Sequence, residues 1–329
     1  MTRPTSANDL FSRNEIRALV APSDAAGLAA VLTSWGIIAL TFAALARFPH
    51  PATFAIAVAI LGGRQLALGV LMHDAAHGSL FRTRWLNEVF ADWACARPVW
   101  GDVARYRRHH LAHHTHTGTE LDPDLCLAAP FPVTRASLGR KLLRDALGVT
   151  GVKRILGLLA MDLEIIAYTV TPEIRRLSRR PLGEHLAAGA RNVAGVLVTN
   201  AAILGTLALT GHAWVYAAWA VAFVTSFSVV VRVRSIAEHA CTEASADALR
   251  NTRTTIAGPL ERLLLSPHRV GYHLEHHLLM TVPYFRLPEM HRLLVERGAL
   301  PGGAVARGYL EVLRQASSRA KGGGDDQKR

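Results

Sequence analysis

Four long apolar runs, arranged as two pairs, dominate the pattern of hydrophobic and polar positions along the chain. Residues 25–46 carry no acidic residue, and their length, about twenty residues, suits the hydrocarbon core of a bilayer. Arg47-Phe48-Pro49-His50-Pro51 breaks this run, and a second follows over 51–72, interrupted by Arg64 and Gln65. Polar groups inside a span either face the bundle interior or snorkel to the interface. The second pair occupies 186–209 and 213–231, separated by Thr210-Gly211-His212. Each pair predicts two antiparallel helices joined by a tiny turn. The intervening segment, roughly 73–185, is too polar to cross. Its apolar stripes at 87–100 and 152–170 are broken by Asp92, Arg97, Asp162 and Glu164, and predict helices at the interface or packed under an aqueous layer. Residues 1–24 are polar, without a cleavage pattern, and Asn14–Val20 predicts a short amphipathic helix. From Ser317 the chain carries Gly322-Gly323-Gly324 and then charge, which predicts a disordered tail over 317–329. The expected fold class is all-α integral membrane: one domain over 25–316, with four transmembrane helices in two hairpins capped by a cytoplasmic helical domain.

Charge sharpens the orientation. The net charge is +12 with histidine neutral. A basic balance can mean nucleic acid, but no aromatic-interleaved basic groove accompanies it, so nucleic acid is excluded as a partner. Arg and Lys that flank apolar runs follow the positive-inside rule and face anionic headgroups, which puts both termini and the large basic segments in the cytoplasm. The cysteines, Cys95, Cys126 and Cys241, are odd in number and lack CxxC spacing, against both a disulfide framework and a thiolate metal site.

The polar segments concentrate histidine into three clusters. His73-Asp74-Ala75-Ala76-His77 follows the second span; if that span continues as helix, i and i+4 spacing puts both imidazoles on one face. The second cluster, Arg107-Arg108-His109-His110-Leu111-Ala112-His113-His114, offers His110, His113 and His114 as HxxHH, with His109 in an alternative register and His116 outside the favoured set. Tyr272-His273-Leu274-Glu275-His276-His277 repeats HxxHH, and His239 ends the last span where His73 ends the second. The nine candidate ligands are therefore His73, His77, His110, His113, His114, His239, His273, His276 and His277. A closed tetrahedral site takes about four ligands, so nine suit two metals. Imidazole accepts iron, copper, zinc or nickel, and spacing alone does not choose among them. Asp74, His109, Asp122, Asp124 and Glu238 are candidates to orient those ligands through hydrogen bonds. Adjacent histidines such as His113 and His114 can point to different metals. His50, His185, His212, His268 and His291 read as surface or interface residues.

The order HDxxH, HxxHH, HxxHH, with a further histidine after the last span, resembles the integral-membrane fatty acid desaturase/hydroxylase superfamily over roughly His73 to Leu294. The resemblance implies two non-haem iron ions under a four-helix bundle, O2 as co-substrate, and a separate electron donor, ferredoxin-like or cytochrome b-type. It also implies a lipid acyl substrate reached from the membrane. Tyr272-His273-Leu274-Glu275-His276-His277 with Val282-Pro283 and Leu287-Pro288 looks like the acyl-chain desaturases. His77-Gly78-Ser79 and Thr117-Gly118-Thr119 with Asp122-Pro123-Asp124 are similar to carotenoid ketolases. The expected reaction is desaturation of an acyl chain, with hydroxylation or ketolation at the same site as the alternative. Arg105, Arg107, Arg108 and Arg269 are candidates to meet an acidic head group. A histidine-rich membrane transporter or metal sensor is the competing class; it favours polar ligands within the spans, whereas these clusters follow span ends.

Overall fold

The computed structural model describes residues 4–320. Two short helices open the chain: α1 (Ala7–Leu10) and α2 (Arg13–Leu19). Each starts at a serine whose hydroxyl accepts a first-turn amide, while Asp9 or Glu15 reaches back to the cap amide. Next come α3 (Asp24–Arg47) and α4 (Pro51–Ala76), joined at Phe48-Pro49-His50; Pro51 sits at the first turn of α4, where its missing N–H costs nothing. After the polar segment, α9 (Leu182–Leu209) is the third long apolar helix. The fourth run is broken at Thr225 into α10 (Tyr216–Val224) and α11 (Ser226–His239). Among the described residues, four stretches are thus long and apolar enough to cross a membrane: one ending at Arg47, Pro51–Ala76, Leu182–Leu209 and Ala213–His239.

The α4 helix is the axis of the molecule, with α3, α10 and α11 packed against it. Close approach is permitted by glycine. A Cβ on Gly62 would overlap Ser226 Oγ and the Phe227 backbone, and one on Gly63 would overlap the backbone of Leu263 and Leu264. The polar pair inside this span faces inward. Gln65 donates to Trp219 O at 2.9 Å, and buried Arg64 donates to the Arg262 and Leu263 carbonyls, so Arg64 does not snorkel. Leu32, Leu40, Ile56, Leu197 and Leu209, by contrast, project from the spans with their apolar surface exposed, as a lipid-facing side chain does.

The polar segments build the layer at one end of α4. Residues 86–99 are helical throughout but wound loosely, with five-residue turns over Leu86–Phe90 and Asp92–Ala96 and a tight turn at Arg97–Val99. Then come α5 (Val103–His116), α6 (Leu125–Ala128), α7 (Arg135–Ala146) and α8 (Val149–Asp162). The apolar stripe over 152–170 does not stay helical to its end. Asp162 pairs with Arg105 at 2.5 Å and accepts from Trp100 Nε1 at 2.8 Å, and Glu164 takes a left-handed backbone immediately beyond. The C-terminal part contributes α12 (Ala248–Asn251), α13 (Pro259–Leu264), α14 (His273–Leu278), α15 (Leu287–Glu296) and α16 (Tyr309–Ala316). A minimal parallel pair joins β1 (Thr254–Thr255) to β2 (Val305–Ala306). Helices α1 and α2 lay Ala7, Phe11 and Leu19 on Leu274, Leu278, Met290 and Leu294, clamping α14 and α15. Ser317 is buried and Ser318 bridges Thr134, so the tail is ordered through 320; the rest of the expected disordered stretch lies outside the described residues.

Candidate metal centre

Four helix segments deliver the nine histidines. Helix α4 runs one turn past its apolar stretch, so His73 remains helical and His77 caps its C-terminus. Helix α5 starts at Asp102, whose carboxylate accepts the Arg105 amide, and carries His110, His113 and His114 in its last two turns. His239 is the last residue of α11. The short α14 presents His273, His276 and His277.

These side chains meet in two groups. His73, His77, His110, His114 and His276 form one, and His113, His239, His273 and His277 form the other; within each group one ring nitrogen per residue lies within 4.8 Å of all the others. Neighbours in sequence separate: His113 and His114 join different groups, as do His276 and His277. The groups touch where the His114 and His277 rings stack at 4.2 Å. Tyr106 stacks on His110 at 4.9 Å and closes one wall.

The donor set fits a pair of cations. Hydrogen bonds on Nδ1 leave Nε2 free. His73 Nδ1 donates to Asp74 at 2.9 Å, His113 Nδ1 to Asp122 at 2.8 Å and His239 Nδ1 to the Asn251 carbonyl at 3.3 Å. His277 Nδ1 approaches Thr117 Oγ1 at 3.4 Å. Since Thr117 donates its own proton to the His113 carbonyl at 2.5 Å, its oxygen is an acceptor for His277. Nε2 of His73, His77 and His277 is buried with no partner among the described residues. His114 Nε2 lies 3.0 Å from Nε2 of both His110 and His276, and His273 Nε2 lies 2.9 Å from that of His239. Lone pairs converging at this distance without an anion among them are what a bound cation relieves.

Burial keeps most of these rings neutral, as ligation requires. Desolvation holds His77 down to about 4 and His114 to about 2, the nearby Arg107 and histidine charges adding to it. His110, His273, His276 and His277 are pushed well below the ordinary imidazole value by burial and by one another. His113 goes the other way. Burial opposes its charge, but the Asp122 hydrogen bond and the Asp124, Asp122 and Glu238 carboxylates outweigh that and raise it.

The candidate orienting residues fall around this centre. Asp74 and Asp122 hold His73 and His113. Asp124 accepts from His109 at 2.7 Å and stands 3.8 Å from His113 Nδ1, so His109 lies outside both groups and acts on Asp124. Glu238 pairs with Arg234 at 2.5 Å and lies 3.5 Å from His273 Nδ1. Two histidines read as surface residues are not. His291 Nδ1 donates to buried Glu275 at 2.6 Å, which also accepts from Thr254 at 2.5 Å, fixing the helix that carries His273, His276 and His277. His268 Nε2 meets buried Ser34 at 2.8 Å against the first span. Asn251 and the Glu275–His291 pair had no sequence signal, and Thr117 had only its place in Thr117-Gly118-Thr119, four residues after His113. Of the four arginines considered for a head group, Arg105 is taken by Asp162, and Arg107 by Glu88 and the Ala75 and Ala76 carbonyls. Only Arg108 and Arg269 stay exposed.

Comparison with known proteins agrees with this geometry. The family model described as "Fatty acid desaturase" matches residues 49–308. Dihydrorhizobitoxine desaturase of Bradyrhizobium elkanii is 26% identical over 270 residues, 79% of this chain and 72% of that protein. Beta-carotene ketolase of Paracoccus sp. (strain PC1) is 26% identical over 270 residues, 80% of this chain and 90% of that protein.

Proposed function

The chain belongs to the fatty acid desaturase family, and from that premise we propose that it is an O2-dependent di-iron desaturase that introduces a C=C bond into an acyl chain, carried as an acyl-lipid or acyl-thioester. As a family member it is an oxidoreductase and an integral membrane protein. The observation that carries the finer reading is the pair of adjoining, all-imidazole groups of five and four, set where α4 and α11 end. His73, His77, His110, His114 and His276 would hold one iron, and His113, His239, His273 and His277 the other. Iron bound there supplies the redox-active oxidant needed to break an unactivated C–H bond, which zinc does not.

The protein's own part is neutral, oriented ligands and exclusion of water. Asp74, Asp122 and Thr117 fix ring tautomers; Tyr106 and the buried faces of α4 and α5 keep the centre dry on the membrane side. The substrate tail approaches from the membrane, where the apolar spans expose their side chains, and a separate electron donor, ferredoxin-like or cytochrome b-type, works from the aqueous side. The turns at 48–50 and 210–212 carry no Lys or Arg and the opposite layer is basic, which supports cytoplasmic termini and a cytoplasmic metal centre. Ligands at span ends rather than mid-span oppose a transport role. The second reading is ketolation or hydroxylation at the same centre, favoured by the ketolase relative matched over most of its length. Lipid profiling of a host with and without expression tests the choice. A new double bond in the acyl pool is expected, and an oxygenated carotenoid or lipid in its place sinks the desaturase reading.

A further inference from the structure

Beside the metal centre lies a cavity of about 170 Å³. His114, from the five-histidine group, and His277, from the four-histidine group, reach its wall together, so it opens on the seam between the two groups. The rest of the wall is mostly hydroxyl and amide: Thr5, Thr115, Thr117 and Asn251. None of its lining residues belongs to a candidate membrane span. A cavity this polar does not suit an acyl tail, and its volume holds several waters.

Asn251 adds an independent sign. Its side chain is buried, and Nδ2 donates to Thr117 O at 3.0 Å and to Ser245 O at 2.8 Å. Two carbonyls on one side of the amide settle its orientation, because the flipped form would set oxygen against oxygen. The other atom is therefore an oxygen, and Oδ1 is buried with no partner among the described residues. An acceptor in that condition is unfavourable unless water satisfies it. The approach of the two chain segments is close enough to require glycine: Gly118 has φ +76°, and a Cβ there would overlap Ser245 O and Asn251 Cβ.

We propose that this cavity is the aqueous passage of the metal centre, a chain of waters that delivers protons to the His114–His277 edge and carries product water out. The proposal rests on the oxidase reading above. Removing two hydrogens from a C–C pair with O2 consumes two electrons from the donor protein and two protons from solution, and yields two waters. Inserting one oxygen into C–H consumes the same two electrons and two protons and yields one water. Either reaction needs protons in and water out, while the membrane face must stay dry to protect the substrate. The polar wall separates those two requirements in space. At the outer end, Thr5 donates to Asp247 at 2.9 Å and exposed Ala246 borders the opening, so the N-terminal segment frames the mouth.

The test narrows the mouth and reads water access separately from turnover. In a chain with Cys126 and Cys241 changed to Ser, Ala248→Cys places a thiol inside the cavity, and a small water-soluble methanethiosulfonate is applied to the purified holoenzyme. Fast labelling is expected, slowed at least tenfold when Ala246→Phe is added. In the Ala246→Phe enzyme, product formed per O2 consumed should fall at least threefold and released peroxide should rise, with KM for the lipid unchanged. An unreactive Ala248→Cys thiol, or an unchanged product-to-O2 ratio in a variant whose labelling is blocked, overturns the proposal. The labelling arm needs no turnover. An accessible thiol in a chain that makes no oxidised lipid would therefore sink the oxidase reading and, with it, the proton-delivery role, whereas a dry cavity in an active enzyme would sink the passage alone.

Discussion

At the residue scale the centre works through contrast between buried neutral rings and the few carboxylates beside them. His276→Ala or His113→Ala is expected to abolish activity while the protein still inserts and purifies; full activity in either removes that residue from the ligand set. Asp122→Asn keeps the shape beside His113 but removes its charge, and the loss of an orienting partner typically weakens metal binding about 10–100-fold. Titration of the variant with Fe(II) reads that directly, and unchanged affinity refutes the orienting role. The same burial gives a pH dependence. An imidazole depressed on folding contributes stability above its ordinary value near 6.5, and this is lost as pH falls through 6.5 toward the folded value, about 4 for His77 and about 2 for His114. His113, raised, has the opposite sign: its pairing stabilises below 6.5 and fades as pH rises through its folded value. The six depressed rings of the centre outside the spans, joined by His268, outweigh one raised ring, so the Tm of the metal-stripped protein should fall steadily from pH 7 to pH 5. A flat or rising Tm contradicts neutral burial. Eight of the nine histidines were legible because i, i+3 and i+4 spacing is a local property of helices, and His239 because it ends the last span as His73 ends the second. Asn251 and the Glu275–His291 pair were not, because nothing in their neighbourhood in sequence marks what α5, α12 and α15 bring to them.

At the element scale, α4 has two duties, spanning and carrying His73 to the centre, so its packing sets ligand position. Gly62 is where α11 meets it, and Gly62→Leu must displace Ser226 and the Phe227 backbone. Overpacking of this kind costs about 1–3 kcal/mol, so a Tm lower by several degrees and a reduced iron content per chain are expected. Gly36→Ala on α3 meets nothing within 4 Å and should leave both unchanged or slightly improved. Equal damage from the two variants would mean that helix propensity, not the α4–α11 contact, governs. The apolar runs located the long helices but bounded only α3 to within a residue: α4 runs on to Ala76, α9 starts at Leu182, and the fourth run is broken at Thr225 and continues to His239, because helix persists beyond the apolar stretch. The stripe over 152–170 misled because its apolar spacing continues past the point where Asp162 is captured by Arg105 and Trp100, a contact 57 residues away along the chain. The inward turn of Arg64 was likewise open in the sequence. Whether a polar group in a span snorkels or packs depends on carbonyls that α13 happens to offer.

At the scale of the whole molecule, the charge distribution and the metal centre make the same demand on orientation. The histidine layer is continuous with the basic segments, whereas the two turns at the far ends of the spans are short, with Arg47 as the single basic residue at their edge. Moving the basic layer across the membrane would translocate many Arg side chains, each costing several kcal/mol at the bilayer centre, whereas the turns cross cheaply. The proposed electron donor would also draw its reducing equivalents from the cytoplasm. Both arguments support the proposed orientation, with Arg108 inside and Gly211 outside. With Cys126 and Cys241 replaced by serine and Cys95 left buried, Gly211→Cys should react with a membrane-impermeant thiol reagent in intact cells. Exposed Arg108→Cys should react only after permeabilisation. Labelling of Arg108→Cys in intact cells would reverse the topology and put the metal centre, its aqueous cavity and any donor on the outside, where a cytoplasmic reductant could not reach them.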